Sequence, residues 1–243
     1  MLFREILIEI LCTFTIVFLT SYARIACDLN SSSDHIQVGL VNAFSTAVFI
    51  FVCFPQTHCH FSPTLTVADM IYKNLPFMGG MMILISQFVG CLFANACVVL
   101  TLTDRQINLL ASKSVIGMSM LQPRFNSING FLIDVLLSSL FVFANLTYAD
   151  ETKKGRDAIT KFAMVRMVVI LLISLAGESI CGTDSNPFAV LSAAILTKHF
   201  ELHQWIYFIS PIVASFIGGI LYKPEIISDL FVFEIKEHKT KAD

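Results

Sequence analysis

The sequence predicts an all-α membrane protein of six transmembrane helices and two re-entrant half-helices, arranged as an inverted repeat. Three observations predict it. Hydrophobic residues make up 56% of the 243 and charged residues only 14%, with a mean hydropathy of +0.75, whereas a soluble domain carries about 25% charge. Two helix-opening motifs, Ser62-Pro63-Thr64 and Asn186-Pro187-Phe188, stand 124 residues apart. The segments around them recur at nearly the same offset. Glu9, Thr13, Val17 and Phe18 return as Asp134, Ser138, Val142 and Phe143, and Ile85-Ser86-Gln87-Phe88-Val89 returns as Ile209-Ser210-Pro211-Ile212-Val213. Chance does not readily supply registry at three points.

Six apolar runs, near residues 6–21, 38–54, 77–102, 131–145, 162–176 and 205–222, approach the roughly 20 residues needed to cross hydrocarbon. Two shorter runs, 63–72 and 187–196, reach only half-way. Pro63 and Pro187 suit the first helical turn, where a missing N–H costs nothing, and Ser62 and Asn186 before them are favoured N-caps. Three spans separate each element from its repeat, so the halves, about 1–125 and 126–222, run through the membrane in opposite senses. The half-helix starts then meet near the midplane, where irregular backbone is tolerated only if buried or lining a water-filled cavity. Residues 223–243 form a tail outside the channel domain 1–222.

Putting both termini in the cytosol places 11 Lys and Arg on that side, including Arg166 and the cluster from Lys153 to Lys161, and 5 on the other, including Arg24. The positive-inside rule favours that orientation. No cleavable signal peptide is expected, since the first run carries Glu9 and belongs to the repeat.

The pieces Glu9-Ile-Leu-Cys-Thr13-Phe14, His60-Phe-Ser-Pro-Thr-Leu-Thr66, Gln87-Phe-Val-Gly90, Gly182-Thr-Asp-Ser-Asn186-Pro187 and Ile209-Ser-Pro211 resemble, in order and spacing, the aquaporin (major intrinsic protein) family. The resemblance spans about residues 5–222. It implies a homotetramer with one pore per subunit, passing water and small neutral solutes such as glycerol or hydrogen peroxide through the lipid bilayer. The pattern departs from the family at its centre. The family has Asn-Pro-Ala twice; here Ser62 and Thr64 alter the first copy and Phe188 the second. A Ser hydroxyl is shorter than an amide and rotates freely, which loosens its hold on a passing water. Where the family places a constriction Arg, this chain has Ala189, and the alignment sets Asn42, Ser174 and Thr183 at the other constriction positions. Those residues imply a neutral, permissive constriction, and no Lys or Arg stands nearby in the sequence. The departures resemble the intracellular superaquaporin branch.

Other groups are read more briefly. Lys239 and Lys241, in Lys-Thr-Lys-Ala-Asp at the C-terminus, resemble an endoplasmic-reticulum retrieval signal or form a solvated tail. Asn30-Ser31-Ser32 is a possible glycosylation site, and Asn145-Leu146-Thr147 a second sequon on the cytosolic side. Glu9 and Asp134 are expensive within spans unless satisfied, and are expected to serve structurally by accepting hydrogen bonds from re-entrant backbone. Glu178 and Asp184 are expected at the non-cytosolic mouth. Seven scattered cysteines argue against a disulfide framework or zinc site, with Cys181 either packing or narrowing the pore. His58-Cys59-His60 lacks further ligands, so no metal or other cofactor is expected. Trp205 and Tyr207 read as interfacial anchors. No nucleophile triad or nucleotide loop suggests an enzyme, and no nucleic-acid partner is expected at a net charge of −2. A passive channel, a non-conducting scaffold on the same fold and a secondary transporter remain open.

Overall fold

A computed structural model describes residues 2–29, 36–54, 56–72, 75–113, 121–122, 124–151, 156–182 and 186–223. The chain forms, in order, α1 (Leu2–Leu29), α2 (Ile36–Cys53), α3 (Pro63–Ile71), α4 (Phe77–Thr101), α5 (Asp104–Lys113), α6 (Ser127–Glu151), α7 (Arg156–Gly177), α8 (Pro187–Thr197) and α9 (Trp205–Tyr222). Among the described residues there are no strands. Six of these helices, α1, α2, α4, α6, α7 and α9, are long and apolar enough to cross a membrane, with mean hydropathy from 1.7 to 2.2. Only 39–44% of each span is buried inside the protein. The outward majority carries large apolar side chains such as Leu11, Phe51, Phe93, Leu136, Leu172 and Phe216, a surface that hydrocarbon solvates and water does not. This is an integral, multi-pass membrane protein.

Helix–helix packing arranges the spans as a ring. α4 packs on α1, α1 on α2, α2 on α7, α7 on α6 and α6 on α9. The two half-helices fill the seam between α9 and α4: α3 packs on both, and α8 lies against α4 and touches α9. Glycines permit the tightest crossings. A Cβ on Gly90 would stand 2.7 Å from the Ile10 carbonyl oxygen on α1, and one on Gly218 would stand 2.7 Å from the Ser139 carbonyl oxygen on α6, so a bulkier residue would push these pairs apart.

Two spans are longer than their apolar runs. α1 extends to Leu29 rather than residue 21, and α7 begins at Arg156 rather than 162. The sequence reading stopped at charge, at Arg24 after the first run and at Lys161 before the fifth. Arg24 and Arg166, counted with the flanking positive charges, are both inside the bundle, 6% and 2% exposed, and neither contributes to a loop. The tally of positive loops therefore loses one residue from each side. The helix α5, polar and amphipathic, falls in none of the apolar runs; it rests on α1 through Leu110 and Ile107.

Candidate functional site

Both re-entrant helices open at a Pro in the first turn, but their caps differ. Asn186 accepts from the Phe188 and Ala189 N–H groups with Oδ1, at 3.2 and 3.3 Å. Ser62, with extended backbone at φ −144° and ψ 135°, does not cap α3 through its side chain. Before α3 the main chain takes two left-handed turns at non-glycine residues, Cys59 (φ 53°) and Phe61 (φ 55°), a conformation that costs on the order of 1 kcal/mol or more apiece and persists only when the surroundings enforce it.

Buried polar groups hold that stretch. Glu9 on α1 accepts from the N–H groups of His60 (3.1 Å) and Phe61 (3.2 Å), the Thr57 hydroxyl (2.8 Å) and Gln87 Nε2 on α4 (3.2 Å). Gln87 also donates to Thr66 Oγ1 on α3 at 3.0 Å, and His60 pairs its ring nitrogens with Thr66 (3.2 Å) and Asp69 (2.7 Å). From α7, Arg166 donates to the carbonyls of Cys59 and His60, with its guanidinium over the rings of Phe61 and Phe141. In the second half Asp134 accepts from the Ser210 hydroxyl. On the far side of α8, Asn95 on α4 donates to the Ala189 carbonyl (3.1 Å) and to Ser192 Oγ (2.7 Å). The sequence reading missed Asn95, which has no distinguishing motif around it.

A cavity of about 50 Å³ lies inside the ring. At roughly 10–15 Å³ per water centre it has room for a few waters. Ser62 and Asn186 both line it, so the starts of α3 and α8 face one lumen. One face of α1 contributes Val17, Thr20, Ser21 and Arg24, and one face of α7 contributes Arg166, Ile170, Ile173 and Ser174. Asn42 and Thr46 of α2 add polar groups to the wall, and Ala189 of α8 adds a methyl.

Of the residues singled out from the sequence, Ser62, Asn186, Asn42, Ser174 and Ala189 therefore share one lumen. The remaining motif residues do not line it. Pro63 and Pro187 form the first helical turns, Thr64 is buried with its carbonyl accepting from Ser215 (3.0 Å), and Phe188 packs edge-on against Phe88 at 5.4 Å. Thr183, Asp184, Asn30, Lys239 and Lys241 lie outside the described residues. Asn145 is buried within α6, its amide donating to the Phe141 carbonyl at 2.7 Å. Cys181 is buried against Leu121 and Ile206, away from the lumen wall. Burial, reinforced by the Asp134 and Glu178 carboxylates, raises its thiol pKa well above the ordinary value. No group of three or more His, Cys, Asp or Glu side chains able to hold a metal assembles among the described residues.

Two expectations need correction. Glu178 is not a solvated mouth residue: it is 5% exposed and accepts from Arg24 Nε at 2.7 Å and Nη2 at 3.2 Å. The lumen wall is accordingly not free of cationic side chains, despite Ala189. Arg24 comes from α1, 165 residues earlier in the chain than Ala189, and Arg166 from α7, where local inspection around Ala189 could not find them. A signal was present: Thr13, Thr20 and Arg24 fall at i, i+7 and i+11, with Ser21 beside them, so the polar residues of the apolar run share one helix face with the charge that follows it.

A ring of six spans with two half-helices opening onto an internal polar lumen defines a membrane channel fold rather than an enzyme. The chain belongs to the major intrinsic protein family, whose model matches residues 1–222. Similar proteins include a glycerol uptake facilitator protein-like 6 of Lactiplantibacillus plantarum, 25% identical over 219 residues, covering 89% of this chain and 95% of the relative. Aquaporin-7 of Botryotinia fuckeliana is 28% identical over 77% of this chain, which spans only 39% of that protein's length. The X-ray structure of the aquaglyceroporin from Plasmodium falciparum superposes with a TM-score of 0.76, covering 95% of this chain and all of that one, at 19% identity. That likeness establishes the shared fold.

Proposed function

We propose that this protein is a passive channel for water and small neutral solutes, glycerol or hydrogen peroxide among them, with an unusual selectivity region. The observation that carries the reading is the lumen onto which Ser62 and Asn186 both open, lined by hydroxyls, amides and the Arg24 and Arg166 side chains and enclosed by apolar spans. Half-helix starts present their positive ends to it, and the handful of donors and acceptors along the wall suits neutral hydrogen-bonding solutes. Thr183 joins Asn42, Ser174 and Ala189 in the selectivity region, and Glu9 and Asp134 serve as structural acceptors. The repeat halves are about 1–125 and 126–222. Departures at Thr64, Phe188 and Ala189 support placement in the superaquaporin branch.

Each subunit encloses its own lumen, and the apolar outer faces suit assembly in lipid as a homotetramer. The remaining Lys and Arg bias supports cytosolic termini, with Lys239 and Lys241 favouring the endoplasmic reticulum and Asn30 a glycosylation site on the opposite side. A second reading, a non-conducting scaffold, draws support from the small volume of the cavity and from the ion pair that engages Arg24 at its wall. A secondary transporter needs an ion-coupling acid, and Glu9 is already saturated by four donors. Stopped-flow swelling of proteoliposomes decides: water flux well above protein-free vesicles with low activation energy supports the channel, and flux equal to empty vesicles with folded protein present supports the scaffold.

A further inference from the structure

The Arg24–Glu178 pair joins two helices that do not pack along one another. In the ring α1 is flanked by α4 and α2, and α7 by α2 and α6, so the bond ties together two helices that both neighbour α2, running from α1 to the turn that follows α7. Arg24 lies on the same α1 stripe as Val17, Thr20 and Ser21, and all four line the lumen. Its partner sits in the turn that closes α7: the Glu178 N–H donates to the Ser174 carbonyl at 2.9 Å, and Ser174 is itself a lumen residue. The contact is a two-point fork, Nε to Oε1 at 2.7 Å and Nη2 to Oε2 at 3.2 Å, with the side chains 7% and 4% exposed. Such parallel bonds fix the guanidinium plane as well as its position. A long side chain anchored at the wall of a conduit bears on its free width.

We propose that Arg24, anchored by Glu178, is the specificity-determining bar of the lumen, holding it narrow enough that water outpaces three-carbon polyols. The inference rests on the channel reading and deepens it. The chain spacing hides it, since the partners are 154 residues apart.

The test compares glycerol and water permeability in proteoliposomes of the wild type, Arg24→Ala/Glu178→Ala and Arg24→Lys. Their ratio does not depend on how much protein inserted. The double variant removes both charges, so no lone buried ion remains, and opens the bar; its glycerol-to-water ratio is expected to rise about tenfold. Arg24→Lys keeps the charge but loses the two-point anchor, and is expected to give an intermediate ratio. Should the double variant fail to fold, the lysine variant alone carries the test. A folded variant set with the wild-type ratio, whatever its melting temperature, overturns the inference and reduces the pair to a structural brace. A wild type that conducts neither solute overturns the channel reading together with this one.

Discussion

Glu9 and Arg166 grip the same turn of main chain from opposite sides. The carboxylate on α1 takes the N–H groups of His60 and Phe61, while the guanidinium on α7 gives to the carbonyls of Cys59 and His60. Between them they hold two left-handed residues, Cys59 and Phe61, directly before Ser62 and the start of α3. The shape of the first half of the lumen thus depends on two buried charges from helices that do not contain it.

Replacing Glu9 with Gln tests this dependence. A carboxamide offers one acceptor oxygen where the carboxylate offers two, and turns a donor toward N–H groups. The expected cost is about 2–4 kcal/mol of stability, read as a lowered melting temperature in detergent. Thermal unfolding identical to the wild type would mean the turn does not need Glu9.

At the second motif, capping and lumen chemistry separate. Asn186→Ala removes the acceptor for Phe188 and Ala189 and should cost about 1 kcal/mol. Asn186→Asp keeps that acceptor but replaces the lumen amide with a charge, so water permeability should fall several-fold while the melting temperature stays nearer the wild type. Full water flux in the folded aspartate variant would show that the Asn186 amide plays no part in conduction.

Helix spacing gives a paired prediction. Gly90→Ala forces a methyl against the Ile10 carbonyl, 2.7 Å away, and should destabilise by about 1–3 kcal/mol. Gly79→Ala meets only a Leu75 methyl at 3.8 Å and should be neutral or slightly stabilising, since Ala is the better helix former. Equal melting temperatures for the two variants would contradict the close crossing of α1 and α4.

Cys181 should be inert in the folded protein. Its raised pKa leaves little thiolate at neutral pH, and the nucleophile is the thiolate. Maleimide labelling followed by peptide mass spectrometry should find Cys181 unmodified until the protein is denatured. Prompt native-state labelling would place it on an open face of the lumen instead.

The location proposal stands on the terminal lysines alone. Changing Lys239 and Lys241 to Ser should shift a fraction of the protein from the endoplasmic reticulum toward the cell surface, measured by surface biotinylation. An unaltered distribution removes the retrieval reading.

The sequence by itself determined the elements that repeat their own chemistry. Hydropathy alone marks six spans, because lipid demands an apolar exterior along every crossing segment. Pro63 and Pro187 mark the half-helix starts, because a Pro is tolerated in a helix chiefly in its first turn. Five lumen residues, Asn42, Ser62, Ser174, Asn186 and Ala189, were legible through motif and alignment. What the sequence hid was charge inside the bundle. Arg24 and Glu178 read locally as flanking or mouth residues and Arg166 as one more cytosolic-side positive charge, since a single residue's hydropathy cannot reveal a partner on another helix. Tertiary structure alone decided their meaning, by bringing Arg24 to Glu178 and Arg166 to the carbonyls of Cys59 and His60, where desolvated charges are offset by bonds that span more than a hundred residues of chain.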